Sequence, residues 1–275
     1  MAAILLLFLA GLAGCSSIGT QTASMPSGSA GTSSGPALNA TLPGNATLPK
    51  PPQRLELTGC TNYGGVFPVP MASATAALPS GFTPIPAAND PQGGATLYAI
   101  IVECTASKVD GNDTKAARLG YAELAVTPPA NLVLDGVTDC TVPVFFASSN
   151  DEVAKALLDL GISGRAHSSS STDVTDGMDH SYQASFTIGD ATVQLTVDIA
   201  GPDTGQVASG SFMVYGVQDG KLTTILKGTS SDGGARQGPA LLQAAGTPVA
   251  KDARQGALGF SAAGFSLTYE RRPVP

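Results

Sequence analysis

An alternation of apolar and polar residues near residue 190 restricts the fold of this chain more than any other feature. HSYQASFTI, residues 180–188, alternates and is followed by Gly189-Asp190, a dipeptide typical of tight turns between strands. The next segment, ATVQLTVDIA, places four aliphatic side chains on one face of an extended strand: Val193, Leu195, Val197 and Ile199. The pattern predicts an antiparallel β-hairpin.

Further strand-like segments are separated by Gly, Pro and Asp. Residues rich in Val, Ile, Thr and aromatics favour strands, whereas Gly and Pro interrupt helices. Pro143 indicates that its segment is an edge strand or a bent one. Two glycine-rich segments, 58–65 and 230–238, predict loops. The remaining predicted strands are 96–104, 118–126, 140–148, 210–218, 221–228 and 264–272.

Two segments predict helices. In SSNDEVAKALLDLGI, Ser149 is the predicted N-cap, Glu152 completes a capping box and Gly161 ends the helix. GPALLQAAG, residues 238–246, predicts a shorter helix. Together the segments predict a mostly β fold with minor α, either a curved antiparallel sheet or a closed barrel with one or two helices.

The N-terminus predicts an export signal. Residues 2–13 are Ala, Ile, Leu or Phe apart from Gly11, a run shorter than the roughly 20 residues of a transmembrane helix but typical of a secretory signal. Leu12-Ala13-Gly14-Cys15 resembles the lipobox of prokaryotic lipoproteins, which implies cleavage before Cys15 and a diacylglyceryl group on its thiol. No basic residue precedes the run. A buried N-terminal helix ending in an ordinary cysteine is the alternative.

The segment after Cys15 predicts a tether. It is rich in Ser, Thr, Gly, Ala and Pro, with Lys50 as its one charged residue, so it cannot bury enough apolar surface to offset the entropy of ordering. Two N-x-Thr sequons, at Asn39 and Asn45, would suit a glycosylated stalk or reflect composition alone. We therefore divide the chain into a signal peptide (1–14), a lipidated cysteine with its tether (15–52) and one β-rich domain (53–275). The domain would lie in the cell envelope, outside the cytoplasm, anchored to the membrane through lipid.

Composition and residue spacing argue against a nucleic-acid partner, a metal site and a cofactor. The net charge is −7 and no basic cluster is present, which argues against a nucleic-acid partner. The densest metal-capable group comprises three aspartates and a histidine, but its spacing does not match a calcium-binding loop, so we predict neither a metal site nor a cofactor. Its residues are Asp173, Asp176, Asp179 and His180.

Three cysteines remain if Cys15 is lipidated. An exported location permits disulfides. We favour a Cys60–Cys104 bridge because Cys140 begins a segment that resembles a buried strand. The alternative is that all three are small buried apolar residues.

Three stretches resemble the acetoacetate decarboxylase-like superfamily: ALPSGFTPIP (77–86), LGYAEL (119–124) and NDEVAKALLDLGI (150–162). The second is similar to the family's Gly-Pro-Tyr-Asn-Glu strand and puts Glu123 at the family's acidic position. The resemblance implies a closed, cone-like antiparallel barrel with a small internal cavity. The family's decarboxylases carry a lysine shortly after the helix, which forms a Schiff base with a β-keto acid. The matching stretch, GISGRAHSSSS, has Arg165 and no lysine, and arginine stays protonated.

These observations favour a membrane-anchored barrel that binds a small, partly apolar ligand without catalysis. One alternative is a decarboxylase-like or other enzyme acting on a small keto acid, with Glu123 and Arg165 as candidate catalytic residues; Glu123 could instead point outward from its strand. The other is a structural or partner-binding surface protein. A cavity with apolar walls would favour binding, convergence of Glu123 and Arg165 would favour an enzyme, and a filled barrel would favour the surface protein.

Overall fold

The computed structural model describes residues 52–88, 90–162, 164–165, 168–176, 179–199, 205–207, 209–218, 220–231, 233–255 and 257–274. The predicted signal peptide, Cys15 and both sequons, Asn39 and Asn45, lie outside the described residues. Within the described ranges, no helix is both long enough and apolar enough to cross a bilayer.

The described residues form fifteen strands and two α-helices. The helices are α1 (Met71–Ala77) and α2 (Asp151–Asp159). The strands are β1 (Arg54–Val69), β2 (Thr83–Pro84), β3 (Ala95–Val109), β4 (Asn112–Thr114), β5 (Ala117–Thr127), β6 (Cys140–Ser148), β7 (Gly164–Arg165), β8 (Ser168–Asp176), β9 (Asp179–Ile188), β10 (Ala191–Ile199), β11 (Gly205–Val207), β12 (Gly210–Gln218), β13 (Lys221–Ser230), β14 (Gly233–Ala245) and β15 (Ala257–Arg272).

Seven of these strands close into a barrel. Their order is β1-β3-β5-β6-β12-β13-β15, and β15 pairs back onto β1. All neighbours in this ring are antiparallel except β6 and β12, which are parallel. The predicted mostly β fold with minor α is thus confirmed, in its closed-barrel form.

Alternation along the barrel strands creates two cores. The inner core receives buried side chains from all seven strands, and α2 closes part of it with Val153 and Leu157. The outer core lies between the barrel wall and a second layer of strands, β14-β10-β9-β8, which continues from β15. The predicted β9–β10 hairpin is confirmed, with Ile188 opposite Ala191, and its aliphatic face is buried in this outer core.

Two predicted loops are strands instead. Residues 58–65 lie within β1, where Gly59 adopts a φ of +60° at a bulge between Leu57 and Cys60. A Cβ at Gly64 would lie 2.4 Å from the Phe260 ring, so this glycine makes room for an aromatic side chain. Most of 230–238 lies in β14.

The predicted helix at 238–246 is also wrong, because that segment continues β14 and pairs with β15 over residues 238–240 and with β10 over residues 240–245. The other predicted helix is present as α2, but its N-cap is Asn150, whose side chain accepts from the backbone N–H groups of Glu152 and Val153. The Ser149 hydroxyl instead accepts from the backbone of Arg118 on β5.

Cys60 and Cys104 occupy directly opposed positions on β1 and β3 and are joined by a disulfide, with their Cα atoms 4.1 Å apart. Both belong to the inner core. Cys140 is a buried thiol whose sulfur lies 3.9 Å from the hydroxyl oxygen of Tyr215.

Candidate functional site

The barrel contains a cavity of about 240 Å³ that is partly open to solvent. Most of its wall is apolar, and aromatic rings from β3, β5, β12 and β15 line it. The aromatic lining residues are Tyr98, Tyr121, Phe212, Phe260 and Phe265, and Ile100 and Leu267 add aliphatic surface. The barrel is therefore hollow where these strands meet.

Glu123 lies on the inner face of β5 and is 6% exposed. It pairs directly with Tyr98 on β3 and with Pro143 on β6. The β5–β6 register shifts between Ala122 and Glu123, which agrees with the bent-strand reading of Pro143. The register shift therefore occurs at Glu123, the residue that carries the buried carboxyl. On the other side, β6 pairs with β12 and β7 only near its two ends, so Pro143 lies in a stretch paired with β5 alone.

Burial dominates the ionisation of Glu123. Desolvation, with a smaller contribution from the nearby Asp139 carboxyl, raises its pKa to about 8. The Thr141 hydroxyl faces the same carboxyl and acts in the opposite direction, although the two groups do not meet the geometry of a hydrogen bond. At neutral pH, Glu123 is mostly a protonated acid that can donate a hydrogen bond into the cavity.

The phenols around Glu123 also stay neutral. Burial raises the pKa of Tyr98 to about 12 and holds the pKa of Tyr121 and of Tyr269 well above the ordinary value. Tyr121 stacks on Phe146 with ring centroids 4.9 Å apart. The inner wall therefore offers phenolic and apolar surface without negative charge from tyrosinate.

Asp139 directly precedes β6 and keeps an exposed surface, which puts it at the opening of the cavity. Burial of its carboxyl raises its pKa, but contact with solvent moderates this effect. The cavity thus has one acidic group inside and one at its mouth.

The two candidate catalytic residues predicted from the sequence, Glu123 and Arg165, differ in their position relative to the cavity. Glu123 faces the cavity and does not point outward. The backbone of Arg165 pairs with Ser148, which lies opposite Leu119. Leu119 precedes Glu123 by four residues, about 13 Å along an extended strand. The fold does not bring the two backbones together, and the side chain of Arg165 is outside what the structure describes.

Sequence reasoning missed Asn62, Tyr98, Asp139 and Thr141 as lining residues. The Tyr98–Glu123 pair could have been found from the alternation of β3 and β5 once their register was known. The contribution of Asn62 depends on barrel closure, because β1 reaches this site only by pairing with β3 and β15.

The aspartate and histidine group lies elsewhere, on β8 and β9. His180 contacts Asp173 through its Nε2 atom and packs edge-on against Tyr63. Among the described residues, no group of three or more His, Cys, Asp or Glu side chains is arranged to hold a metal ion.

The chemistry open to the cavity follows from its side chains. Its described lining includes no lysine, arginine or histidine. It therefore offers no described amine for a Schiff base, and Glu123 and Asp139 are its described acid–base groups.

No family model and no curated protein matches the chain. Solved structures do match. An acetoacetate decarboxylase-like enzyme from Sphingomonas wittichii RW1 is 10% identical, with a TM-score of 0.52 over 82% of this chain and 94% of that one. Acetoacetate decarboxylase from Legionella pneumophila is 11% identical, with a TM-score of 0.53 over 85% and 93%.

An enduracididine biosynthesis enzyme, solved with the condensation product of pyruvate and imidazole 4-carboxaldehyde, is 11% identical, with a TM-score of 0.53 over 82% of this chain and 89% of that one. Sequence identities this low establish a shared fold and no shared activity. The closed barrel and its helix are those that the three sequence stretches implied, and the chain has the acetoacetate decarboxylase-like fold.

Proposed function

We propose that this chain is a lipid-anchored extracytoplasmic protein whose barrel binds one small, partly apolar ligand. The observation that carries the binding function is the cavity of about 240 Å³, with apolar and aromatic walls around the buried carboxyl of Glu123. An apolar cavity of about 150 Å³ is enough to hold benzene. A ligand somewhat larger than benzene, carrying one polar group for Glu123, would match this space.

Binding without catalysis is supported by the missing nucleophile. No lysine follows α2 in the stretch that matches the family's catalytic segment, and none of the described lining residues is a lysine. Arginine keeps its proton at any accessible pH and does not attack a carbonyl. A hollow barrel also gives no support to a purely structural role.

Thermal-shift screening tests the binding proposal. We expect at least one compound among neutral aromatics, amines, short keto acids and fatty acids to raise the melting temperature, because a ligand that binds only the native state stabilises it. Ala262 lines the cavity and Ala263 is exposed on the same strand. Ala262→Leu should abolish the shift by filling the cavity, and Ala263→Leu should preserve it. No shift with any compound, or an equal shift in Ala262→Leu, would contradict the proposal.

The anchoring proposal depends on residues 1–15. Its support is the short apolar run and the lipobox-like Leu12-Ala13-Gly14-Cys15. The Cys60–Cys104 bond is also typical of an oxidising compartment outside the cytoplasm. Mass spectrometry of protein from the native host should find an N-terminal Cys15 carrying a diacylglyceryl group. An intact Met1 with an unmodified Cys15 would refute the anchor.

The second candidate function is enzymatic. The pKa of Glu123, about 8, suits a general acid or base near neutral pH, and the solved structures with this fold include decarboxylases. Carbon dioxide release from acetoacetate, compared between the protein and Glu123→Gln, tests it. We expect no release above the uncatalysed rate and no borohydride-trapped adduct; release that Glu123→Gln abolishes would establish the enzyme instead.

A further inference from the structure

We propose that the preferred ligand of the barrel cavity is a small organic cation, a protonated amine with a short aromatic or aliphatic part. Its ammonium group would pair with Glu123 and its apolar part would lie against the ring-lined wall. This inference rests on the proposed binding function and narrows it to one class of ligand.

The carboxyl groups of the cavity lining favour a cationic ligand. Glu123 and Asp139 are the carboxyl groups of the described lining, and that lining holds no basic side chain. A carboxylate ligand would have to leave water without a described counter-charge, which is costly, and would pass Asp139 at the opening. An ammonium group gains attraction from both acids.

The aromatic side chains of the cavity wall also favour a cationic ligand. Five rings line the cavity: Tyr98, Tyr121, Phe212, Phe260 and Phe265. The negative face of an aromatic ring attracts a cation, more strongly where water is excluded. The same rings provide apolar contact for the rest of the ligand, so charge and shape favour the same class.

A weakly bonded hydroxyl also lines the cavity. Thr141 is 4% exposed, and its Oγ1 atom faces the Glu123 carboxyl without the geometry of a full hydrogen bond. A buried hydroxyl gains from a better-placed partner because burial without a full hydrogen bond is unfavourable. An ammonium has three N–H donors, and one could reach Thr141 while another reaches Glu123.

The pairing couples binding to proton release. The groups that face Glu123 are Asp139, Thr141 and three neutral phenols, those of Tyr98, Tyr121 and Tyr269. None of them supplies a positive charge, so Glu123 holds a proton in the empty cavity at neutral pH. An incoming ammonium takes the place of that proton, which leaves for solvent. Affinity should therefore rise with pH up to the pKa of the empty site.

Calorimetric titration with three matched probes tests the inference: benzylamine, benzyl alcohol and benzoate, at pH 6, 7 and 8. We expect benzylamine to bind at least tenfold tighter than benzyl alcohol at pH 8 and benzoate to be weakest. A site pKa of about 8 predicts that benzylamine affinity rises at least about tenfold between pH 6 and pH 8. At pH 7, most of one proton should be released per bound amine, visible as a dependence on the ionisation enthalpy of the buffer.

Variants separate the possible outcomes. Glu123→Gln should bind benzylamine no more tightly than benzyl alcohol, whereas Glu152→Gln, which changes an exposed glutamate on α2, should behave like the unaltered protein. Benzoate binding as tightly as benzylamine, or equal binding of amine and alcohol, would overturn the inference while leaving the proposed binding function intact. Binding of none of the three probes, together with failure of the thermal-shift screen, would overturn both.

Discussion

Replacing Glu123 with glutamine should stabilise the protein, and the gain should grow with pH. The carboxyl is buried, and its pKa of about 8 in the folded state compares with an ordinary value of 4.5. Between these two values the unfolded chain has lost the proton and the folded chain has kept it. The folded state binds more protons, so the contribution of Glu123 to stability falls as pH rises through this window.

The size of the effect follows from the two pKa values. Linkage gives a penalty of about 1 kcal/mol at pH 5 and about 3 kcal/mol at pH 7 from the Glu123 carboxyl. The advantage of Glu123→Gln over the unaltered protein should therefore increase by about 2–3 kcal/mol across these two pH units. Below the unfolded pKa the advantage should vanish.

Urea denaturation at half-unit intervals from pH 5 to pH 8 measures this difference. Salt-bridged carboxylates such as Asp90, Asp135 and Asp252 have lowered pKa values, so they contribute a constant amount above pH 5 and cancel in the comparison. Glu152→Gln is the matched exposed control and should show no pH-dependent gain. If Glu123→Gln destabilises the protein equally at every pH, the buried neutral carboxyl is refuted.

Two further predictions concern the barrel. Oxidised protein should lose about 4 kcal/mol of unfolding free energy when Cys60 and Cys104 are both changed to alanine, since the bond closes a separation of 44 residues; urea melts without reductant check this, and a loss no greater than that of Cys140→Ala would contradict it. Leu157→Ala should cost about 2–5 kcal/mol because Leu157 is fully buried against the inner core, whereas Leu158→Ala, at a position 60% exposed, should stay within about 0.5 kcal/mol; equal effects in denaturant melts would show that α2 does not close the barrel as described.

Local patterns predicted the elements whose neighbours are close in sequence. The β9–β10 hairpin needs only alternation and a Gly-Asp turn, and α2 needs only its apolar spacing and Gly161, which has a φ of +83°. The N-cap was misplaced by one residue because Ser149 and Asn150 are both good caps. Contact with β5 through Arg118 uses Ser149 and leaves Asn150 to cap the helix.

Long-range pairing overrode local preference elsewhere. Residues 238–246 are rich in Ala and Leu, which favour a helix, but pairing with β15 over 238–240 and with β10 over 240–245 holds this segment extended. The glycines of β1 resemble those of a loop in sequence, yet Gly64 leaves space for the Phe260 ring, 196 positions away along the chain. Neither contact has a local signature.

The candidate site likewise combines residues that local sequence predicts with residues that only long-range strand pairing brings together. The family resemblance marked Glu123 and the absence of a matching lysine, both within one short region of sequence. The remaining wall comes from Asn62, Phe212 and Phe260 on strands that meet only when the barrel closes. The volume of the cavity and the position of Thr141 beside Glu123 therefore required the three-dimensional structure.

The ionisation of Glu123 tests the account most directly. Nuclear magnetic resonance titration of the glutamate side-chain carboxyl carbons, with Glu123→Gln to assign the signal, measures its pKa in the ligand-free protein. We expect the Glu123 signal to titrate near pH 8 in the unaltered protein and to be absent from the spectrum of Glu123→Gln. A Glu123 signal that titrates near the ordinary value of 4.5 would contradict the buried, uncharged carboxyl on which the proposed cavity chemistry depends.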